Sequence, residues 1–123
     1  GLVQVRRVDN EKGRFSLIFL AAPGDAESAK SAQAPLVELT HNWGTESQAD
    51  FKYHDGNAQP QGFGHICFSV PNLDTAIQWF DDNQVVYVKR PDQGKMKDVA
   101  FIKDPDGYWI EIVEPARLKK LGT

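Results

Sequence analysis

Short apolar runs, each about as long as a β-strand, recur along the chain and are separated by polar turn sequences. In the first part they cover residues 2–8, 15–20 and 36–40, with a turn-forming segment at 9–13. Runs of this length bounded by Gly, Asn and Asp predict strands, and the first two predict an antiparallel hairpin. Residues 23–35 contain no large apolar anchors before Pro35 and predict a long mobile loop or an external excursion.

The second half of the chain has a more regular order. Residues 64–70 predict a strand, and a short amphipathic helix follows, with an apolar face formed by Leu73, Ala76, Ile77 and Phe80. Apolar runs at 85–88, 99–102 and 108–113 predict three further strands, because turns rich in Gly, Pro and Asp separate them. Residues 62–115 therefore predict a complete βαβββ unit.

The two halves resemble one another. Residues 1–45 predict three strands, like the last three of the second unit, and both series end in a strand with a central glutamate, Glu38 or Glu111. This internal repeat predicts an α+β fold of paired βαβββ units, with the first unit lacking its opening strand and helix. Residues 46–61 are predicted to connect the units, and residues 116–123 to form a tail.

Glu38 and Glu111 are the most informative residues, because an ionised carboxylate in an apolar strand costs several kcal/mol to bury unless a partner compensates it. His65, in the opening strand of the second unit, adds an imidazole. This O/N donor set suits Zn, Ni, Co or Mn with open positions for substrate, whereas the single Cys67 excludes a thiolate-rich zinc site. A hydrogen-bonded histidine and solvated strand glutamates are the alternative that spacing alone leaves open.

Composition excludes several other classes. A chain of 123 residues, 41% of them hydrophobic, suffices for one compact domain. A net charge of -3, with basic clusters no longer than two residues, predicts no nucleic-acid or membrane partner. No apolar run approaches the roughly 20 residues that span a bilayer, and no charged-then-apolar leader opens the chain. With one cysteine, a cytoplasmic location is expected.

Longer strings carry a resemblance to a known family. They are RRVDNEKGRFSLIFLA (6–21), VELTHNWGTE (37–46), YHDGN (53–57), GFGHICFSVP (62–71) and RPDQGKMKDVAFIKDPDGYWIEIVEP (90–115). These strings resemble glyoxalase I, lactoylglutathione lyase, of the zinc-type eukaryotic and pseudomonad branch. The resemblance implies a vicinal-oxygen-chelate fold and a homodimer whose sites take ligands from both subunits, with Glu38 joining the partner's metal site.

The resemblance also implies a reaction, the isomerisation of the methylglyoxal–glutathione hemithioacetal to S-D-lactoylglutathione, which detoxifies methylglyoxal. The family holds its metal, here expected to be Zn²⁺ with Ni²⁺ as the alternative, by a glutamine, two glutamates and a histidine. Glu38, His65 and Glu111 match three of these ligands, and the glutamine belongs to the missing opening strand. By the same resemblance Glu111 is the catalytic base, and Glu38 is chiefly a ligand with a second base role for the other substrate enantiomer.

Substrate-binding residues are implied in the same way. Asn42, Lys95 and Met96 match positions that contact glutathione, beside His65, and the last two lie in a GKMK loop expected to close over the site. Gln61 stands where animal members usually carry an arginine for the glycyl carboxylate, which leaves the identity of the thiol open. The alternatives are a related metal-dependent epimerase and a non-catalytic or inactive small-molecule-binding member or fragment. A ring-cleaving dioxygenase would use iron with two histidines and one carboxylate, and the one candidate histidine argues against it.

Overall fold

The computed structural model describes residues 1–31 and 33–118 and divides into two compact units, residues 1–51 and 52–123. The first unit contains β1 (Val3–Asn10), β2 (Phe15–Ala21), α1 (Ala26–Lys30) and β3 (Val37–Asn42). The second contains β4 (His65–Ser69), α2 (Leu73–Asp82), β5 (Tyr87–Lys89), β6 (Val99–Lys103), β7 (Trp109–Val113) and α3 (Pro115–Leu118). The α+β class predicted from the sequence is confirmed.

The first unit is an antiparallel sheet in the order β1-β2-β3. Its hairpin turn is closed by the side chain of Asn10, whose Oδ1 accepts a hydrogen bond from the backbone N–H of Gly13 at 2.6 Å. The predicted loop 23–35 is wrong in part, because it contains a 3₁₀ turn at Pro23–Asp25 and then α1; Ala32 lies outside the described residues. Ala29 is only 2% exposed, and this small side chain lets the helix lie close to β1.

A buried hydroxyl links the segment after β3 to the hairpin. Ser16, which is 1% exposed, accepts a hydrogen bond from Trp43 Nε1 at 2.8 Å and donates one to Asp9 Oδ1 at 2.5 Å. The Ser16 hydrogen bond, followed by that of Arg7, lowers the pKa of the Asp9 carboxyl. These bonds fix the position of Trp43 and therefore of Asn42, which precedes it in the chain.

The second unit has the predicted order strand, helix, strand, strand, strand. Its sheet order is β4-β7-β6-β5, with β4 parallel to β7 and the other neighbours antiparallel. The Asn72 side chain caps α2 by accepting the Thr75 N–H at 2.8 Å. One face of the sheet packs on α2 through a core of Leu73, Ala100, Ile102 and Ile112. Burial of these side chains leaves the other sheet face available for function.

Two connections of the second unit are held by side-chain hydrogen bonds and ion pairs. The turn between β6 and β7 is closed by Asp104, whose Oδ1 accepts the backbone N–H groups of Asp106 and Tyr108 at 2.9 Å each. Loop 90–98 is anchored at its start by two 2.8 Å hydrogen bonds from Arg90 to Asp81 on α2. Asp98, at its end, pairs with Arg117 at 3.5 Å.

The ends of the described chain add two facts. Arg117 lies in α3, which occupies the start of the predicted tail; residues 119–123 lie outside the described part. No helix in residues 1–31 or 33–118 is long and apolar enough to cross a membrane.

The two sheets repeat one pairing. In the first unit Glu38 on β3 lies opposite Phe19 on β2, and in the second Glu111 on β7 lies opposite Phe101 on β6. Both glutamates therefore project beside an aromatic side chain of the preceding strand, because paired residues project from the same face of a sheet. The equivalence of the two glutamates in the sequence repeat extends to their strand neighbours.

Candidate metal and substrate site

The accessible face of the second sheet carries the polar candidates. Side chains alternate along a strand, so the residues between those that contact α2 project from the opposite face. On β4 these are His65 and Cys67, and on β7 they are Trp109 and Glu111. Across the β4–β7 pair His65 lies opposite Trp109, and Cys67 lies opposite Glu111. The fold thus gathers an imidazole and a carboxylate on adjacent strands.

The His65 and Glu111 side chains are in direct contact. Nε2 of His65 donates a hydrogen bond to Oε2 of Glu111 at 3.0 Å, across 46 residues of sequence. The side chains are 37% and 21% exposed, respectively. An imidazole nitrogen and a carboxylate oxygen are therefore held together where a solute can reach both.

Two aromatic rings lie beside this pair. Phe101 packs against the imidazole of His65 in a T-shaped contact, with ring centroids 5.1 Å apart and planes at 89°. Trp109 packs against Phe101 with centroids 5.8 Å apart. The sequence interpretation missed Phe101 as part of the site. Counting back across the turn between β6 and β7 could have found it, because that turn sets Phe101 opposite Glu111.

Cys67 lies next to the same carboxylate. Burial raises the pKa of its thiol, and the charge of Glu111 raises it further. The carboxylate of Glu111 therefore has both the imidazole of His65 and this thiol as neighbours.

Glu38 and Asn42 lie in the first unit, on β3. They are four residues apart in one strand and project from one face, opposite Phe19 and Phe15 of β2. Both side chains are exposed, and β3 is an edge strand. The sequence left open whether the strand glutamates are buried or solvated, and in the described structure Glu38 is solvated, because burial needs a covering element as well as apolar neighbours in sequence.

Gln61 lies in a narrow loop before β4. The loop is closed by hydrogen bonds between its two arms, from Gly56 N to Phe63 O and from Gly62 N to Gly56 O, each 3.0 Å. Gln61 is exposed beside this closure. The same segment lines an open cavity of about 310 Å³ together with the beginnings of β4 and β7; its walls are His54, Gly56, Gly62, Phe63, Ile66, Asp104, Tyr108, Trp109 and Ile110.

Lys95 and Met96 lie in loop 90–98. Both are exposed, Met96 to 52%. Lys97 donates a hydrogen bond to the backbone oxygen of Asp92, which closes the loop on itself. The side chains of Lys95 and Met96 are thus presented by a loop with internal order and two anchored ends.

Lys89, at the base of this loop, is a further cation that the sequence interpretation did not single out. It pairs with Phe101 across β5 and β6, and its Nζ donates to the backbone oxygens of Val99 at 2.6 Å and Arg90 at 3.2 Å. Burial lowers the pKa of the amine, with a further contribution from the charge of Lys97. Its signal in the sequence was weak, because a lysine at a strand end is usually solvated.

The donor set meets part of the requirements of a divalent metal site. Imidazole nitrogen and carboxylate oxygen are ligands of borderline divalent cations, and the 3.0 Å contact shows that both side chains can reach one point. Within residues 1–31 and 33–118, however, no three His, Cys, Asp or Glu side chains are grouped closely enough to hold an ion. His65 and Glu111 therefore fit two positions of a metal shell that needs further ligands.

Comparison with known proteins gives a consistent result. Residues 6–112 match the family model of the Glyoxalase/Bleomycin resistance protein/Dioxygenase superfamily. The chain is 48% identical over 131 residues to the lactoylglutathione lyase of Pseudomonas aeruginosa, covering 99% of this chain and 73% of that protein. It is 46% identical over 127 residues to the lactoylglutathione lyase of Pseudomonas putida, covering 96% and 73%.

A solved structure agrees in fold. The trypanothione-dependent glyoxalase I of Leishmania major superposes with a TM-score of 0.67 at 24% identity, and the match covers 99% of this chain and 81% of that one. At this identity the likeness concerns the fold alone.

Proposed function

The chain belongs to the glyoxalase I, or lactoylglutathione lyase, family of the Glyoxalase/Bleomycin resistance protein/Dioxygenase superfamily, and we propose that it isomerises the methylglyoxal–glutathione hemithioacetal to S-D-lactoylglutathione. The observation that carries the proposal is the 3.0 Å contact between His65 and Glu111 on an accessible sheet face. Identities of 46–48% to two enzymes named for this reaction support it.

A divalent cation is the proposed cofactor, with Zn²⁺ preferred and Ni²⁺ as the alternative. His65 and Glu111 would hold it, and Glu38 would supply a further carboxylate oxygen. When bound, the cation acts as a Lewis acid that stabilises negative charge on the substrate oxygens. The oxygen and nitrogen donors of these three residues suit either metal.

Glu111 is the proposed base. The hemithioacetal carbon that bears hydroxyl and sulfur also bears a hydrogen next to a carbonyl group. Glu111 removes this proton, the C–H electron pair becomes the double bond of an enediolate, and the former carbonyl oxygen takes the negative charge. Return of the proton to the neighbouring carbon, with the hydroxyl proton passing from the first oxygen to the second, gives a thioester and an alcohol. The step needs no oxidant.

Substrate recognition is proposed to involve Asn42, Lys95, Met96 and Gln61. Gln61 is the weakest contact, because an amide cannot make the bidentate ionic pair that a carboxylate forms with arginine. The Gln61→Arg variant is expected to lower the KM for the glutathione hemithioacetal. It should leave the KM unchanged for the hemithioacetal of a glutathione ester, in which the glycyl carboxylate is blocked. An equal change for both thiols would remove Gln61 from the carboxylate site.

A homodimer with shared sites is proposed, with Glu38 of one subunit completing the site of His65 and Glu111 of the other. Mixed Glu38→Gln and Glu111→Gln subunits test it, because each mixed dimer would then contain one site with both changes and one intact site. Half of the dimers in an equal mixture are mixed, so about a quarter of the parent activity should return. Activity equal to the mean of the two pure variants would contradict shared sites.

The proposed reaction itself is tested by metal analysis and an assay of thioester formation from methylglyoxal and glutathione. Metal-dependent turnover that is lost with a chelator and restored by Zn²⁺ or Ni²⁺ is expected. Tight metal binding without turnover would favour the alternative of a small-molecule-binding member of the fold.

A further inference from the structure

The His65 imidazole is held by one hydrogen bond and one ring contact. Its Nε2 contacts Glu111, and in the part of the chain that the structure describes Nδ1 has no protein hydrogen-bond partner. Metal-binding imidazoles usually donate their second ring N–H to a carboxylate, a backbone carbonyl or water, which fixes the ring orientation. Here the ring contact that the structure provides is with Phe101, whose plane stands at 89° to that of the imidazole.

His65 needs such a support because of its place in the sheet. It is the first residue of β4, which within residues 33–118 lies at the edge of its sheet beside β7, and its side chain is 37% exposed. The backbone therefore constrains it from one side only. Rotation of an exposed side chain about its torsions is fast and costs little. Without a lateral contact, the hydrogen bond to Glu111 alone would have to hold the ring in the orientation that presents Nε2.

Phe101 is in a position to supply this contact. It lies on β6, an interior strand between β7 and β5, and its chain neighbours Ala100 and Ile102 are buried at 0% and 8% exposure. His65 lies opposite Trp109 and Phe101 lies opposite Glu111, so the two residues are two strands apart across the sheet and offset by two residues along it. Their rings meet at 5.1 Å because both lean over β7.

Phe101 is itself supported by Trp109. The two rings are 5.8 Å apart at 63°, and Trp109 is also the strand partner of His65. Edge-to-face contacts of this kind are favourable because the positive edge of one ring meets the negative face of the other. The rings of Trp109, Phe101 and His65 thus form a continuous row that ends at the carboxylate of Glu111.

We propose that Phe101 is a positioning residue that sets the plane of the His65 imidazole toward Glu111 and thereby strengthens the binding of the divalent cation. This inference rests on the proposed metal-dependent function. Phe101 need not touch the cation, because it acts by restricting the orientations of a ligand. Its loss is expected to weaken metal binding by about tenfold, the lower end of the range for residues that orient metal ligands.

The test is Zn²⁺ affinity, measured by competition with a chromogenic chelator on the full chain in its native assembly. Phe101→Leu should weaken binding about tenfold, and Phe101→Trp, which keeps an aromatic ring, should recover most of it. The matched control is Phe68→Leu, which removes a ring of the same size from the α2 face of the same sheet. It should lower the denaturation temperature and leave Zn²⁺ affinity unchanged.

Two results would overturn the inference while leaving the proposed function intact: parental affinity in Phe101→Leu, or equal weakening by Phe101→Leu and Phe68→Leu. The His65→Ala variant separates these from a wider failure. If the parent binds Zn²⁺ no more tightly than His65→Ala, metal binding at this site and the positioning role are both wrong.

Discussion

Replacing Glu111 by glutamine separates the chemical role of this side chain from its structural one. Glutamine keeps the shape and an oxygen that can accept the His65 Nε2–H, now at 3.0 Å, but it carries no charge. A hydrogen bond to a charged group contributes about 1.5–3 kcal/mol and a neutral one about 0.5–1.5 kcal/mol. Because the Glu111 side chain is 21% exposed, solvent offsets part of this difference, and we expect the unfolding free energy to fall by roughly 1 kcal/mol or less.

The effect on catalysis should be far larger. An amide cannot take the substrate proton, and loss of a general base lowers turnover by about 10²- to 10⁴-fold. The assay is the initial rate of thioester formation from preformed hemithioacetal at saturating metal, with urea unfolding of the same samples. Saturating metal ensures that weaker metal binding by the uncharged side chain is not mistaken for loss of the base.

Glu114→Gln is the matched control. Glu114 is three residues further along, its side chain is 14% exposed, and it accepts hydrogen bonds from Leu73 N and pairs with Arg117, each at 2.9 Å. Its replacement should lower stability at least as much as Glu111→Gln and leave kcat within about twofold. If metal-loaded Glu111→Gln kept a tenth or more of the parent kcat, or if Glu114→Gln lost activity as severely, the assignment of Glu111 as base would be refuted.

Three further predictions concern stability. Arg90 lowers the pKa of the Asp81 carboxyl, so their pair stabilises the fold above about pH 3.9, and this contribution is lost as the pH falls through the lower folded-state pKa. In urea unfolding at neutral pH, Arg90→Gln should therefore be less stable than the parent. A difference in stability that persisted in acid would contradict this prediction. Leu73 is 0% exposed, so Leu73→Ala should lower the unfolding free energy by about 2–5 kcal/mol. A loss below about 1 kcal/mol would show that the core relaxes around the smaller side chain. A Cβ on Gly56 would lie 2.2 Å from a backbone oxygen of the facing arm, so Gly56→Ala should speed hydrogen exchange in that loop, whereas Gly24→Ala, with nothing within 4 Å, should not.

The second unit could be predicted well from the sequence, and the physical reason is periodicity. The apolar spacing of α2 and the turn residues around β6 and β7 are local signals that agree with the tertiary packing. The prediction of where β5 begins was less accurate. The apolar run begins at Val85 but the strand begins at Tyr87, because Gln84 has a φ of 54° and Val86 is 63% exposed.

Other features depended on contacts that a sequence pattern does not encode. Helix α1 has five residues and one buried alanine, so its signal was too short to distinguish from a loop. The exposure of Glu38 depends on which elements cover β3, which an apolar run cannot reveal. The pairing of His65 with Phe101 spans two strands and follows from sheet order, whereas the sequence presents only their positions along the chain.

The short turn closed by Asp104 has a consequence for how this protein can change during evolution. It fixes which residues of β6 face those of β7, and a slip of one residue would carry Phe101 to the α2 side of the sheet. A slip of two would keep Phe101 on the accessible side but opposite Trp109 or Val113 instead of Glu111. An insertion or deletion that shifts the pairing by an odd number of residues therefore moves Phe101 to the wrong face of the sheet. One that shifts it by an even number keeps the face but changes the residue opposite Phe101. Changes that only lengthen the exposed tip of the turn, without altering the pairing, have neither effect.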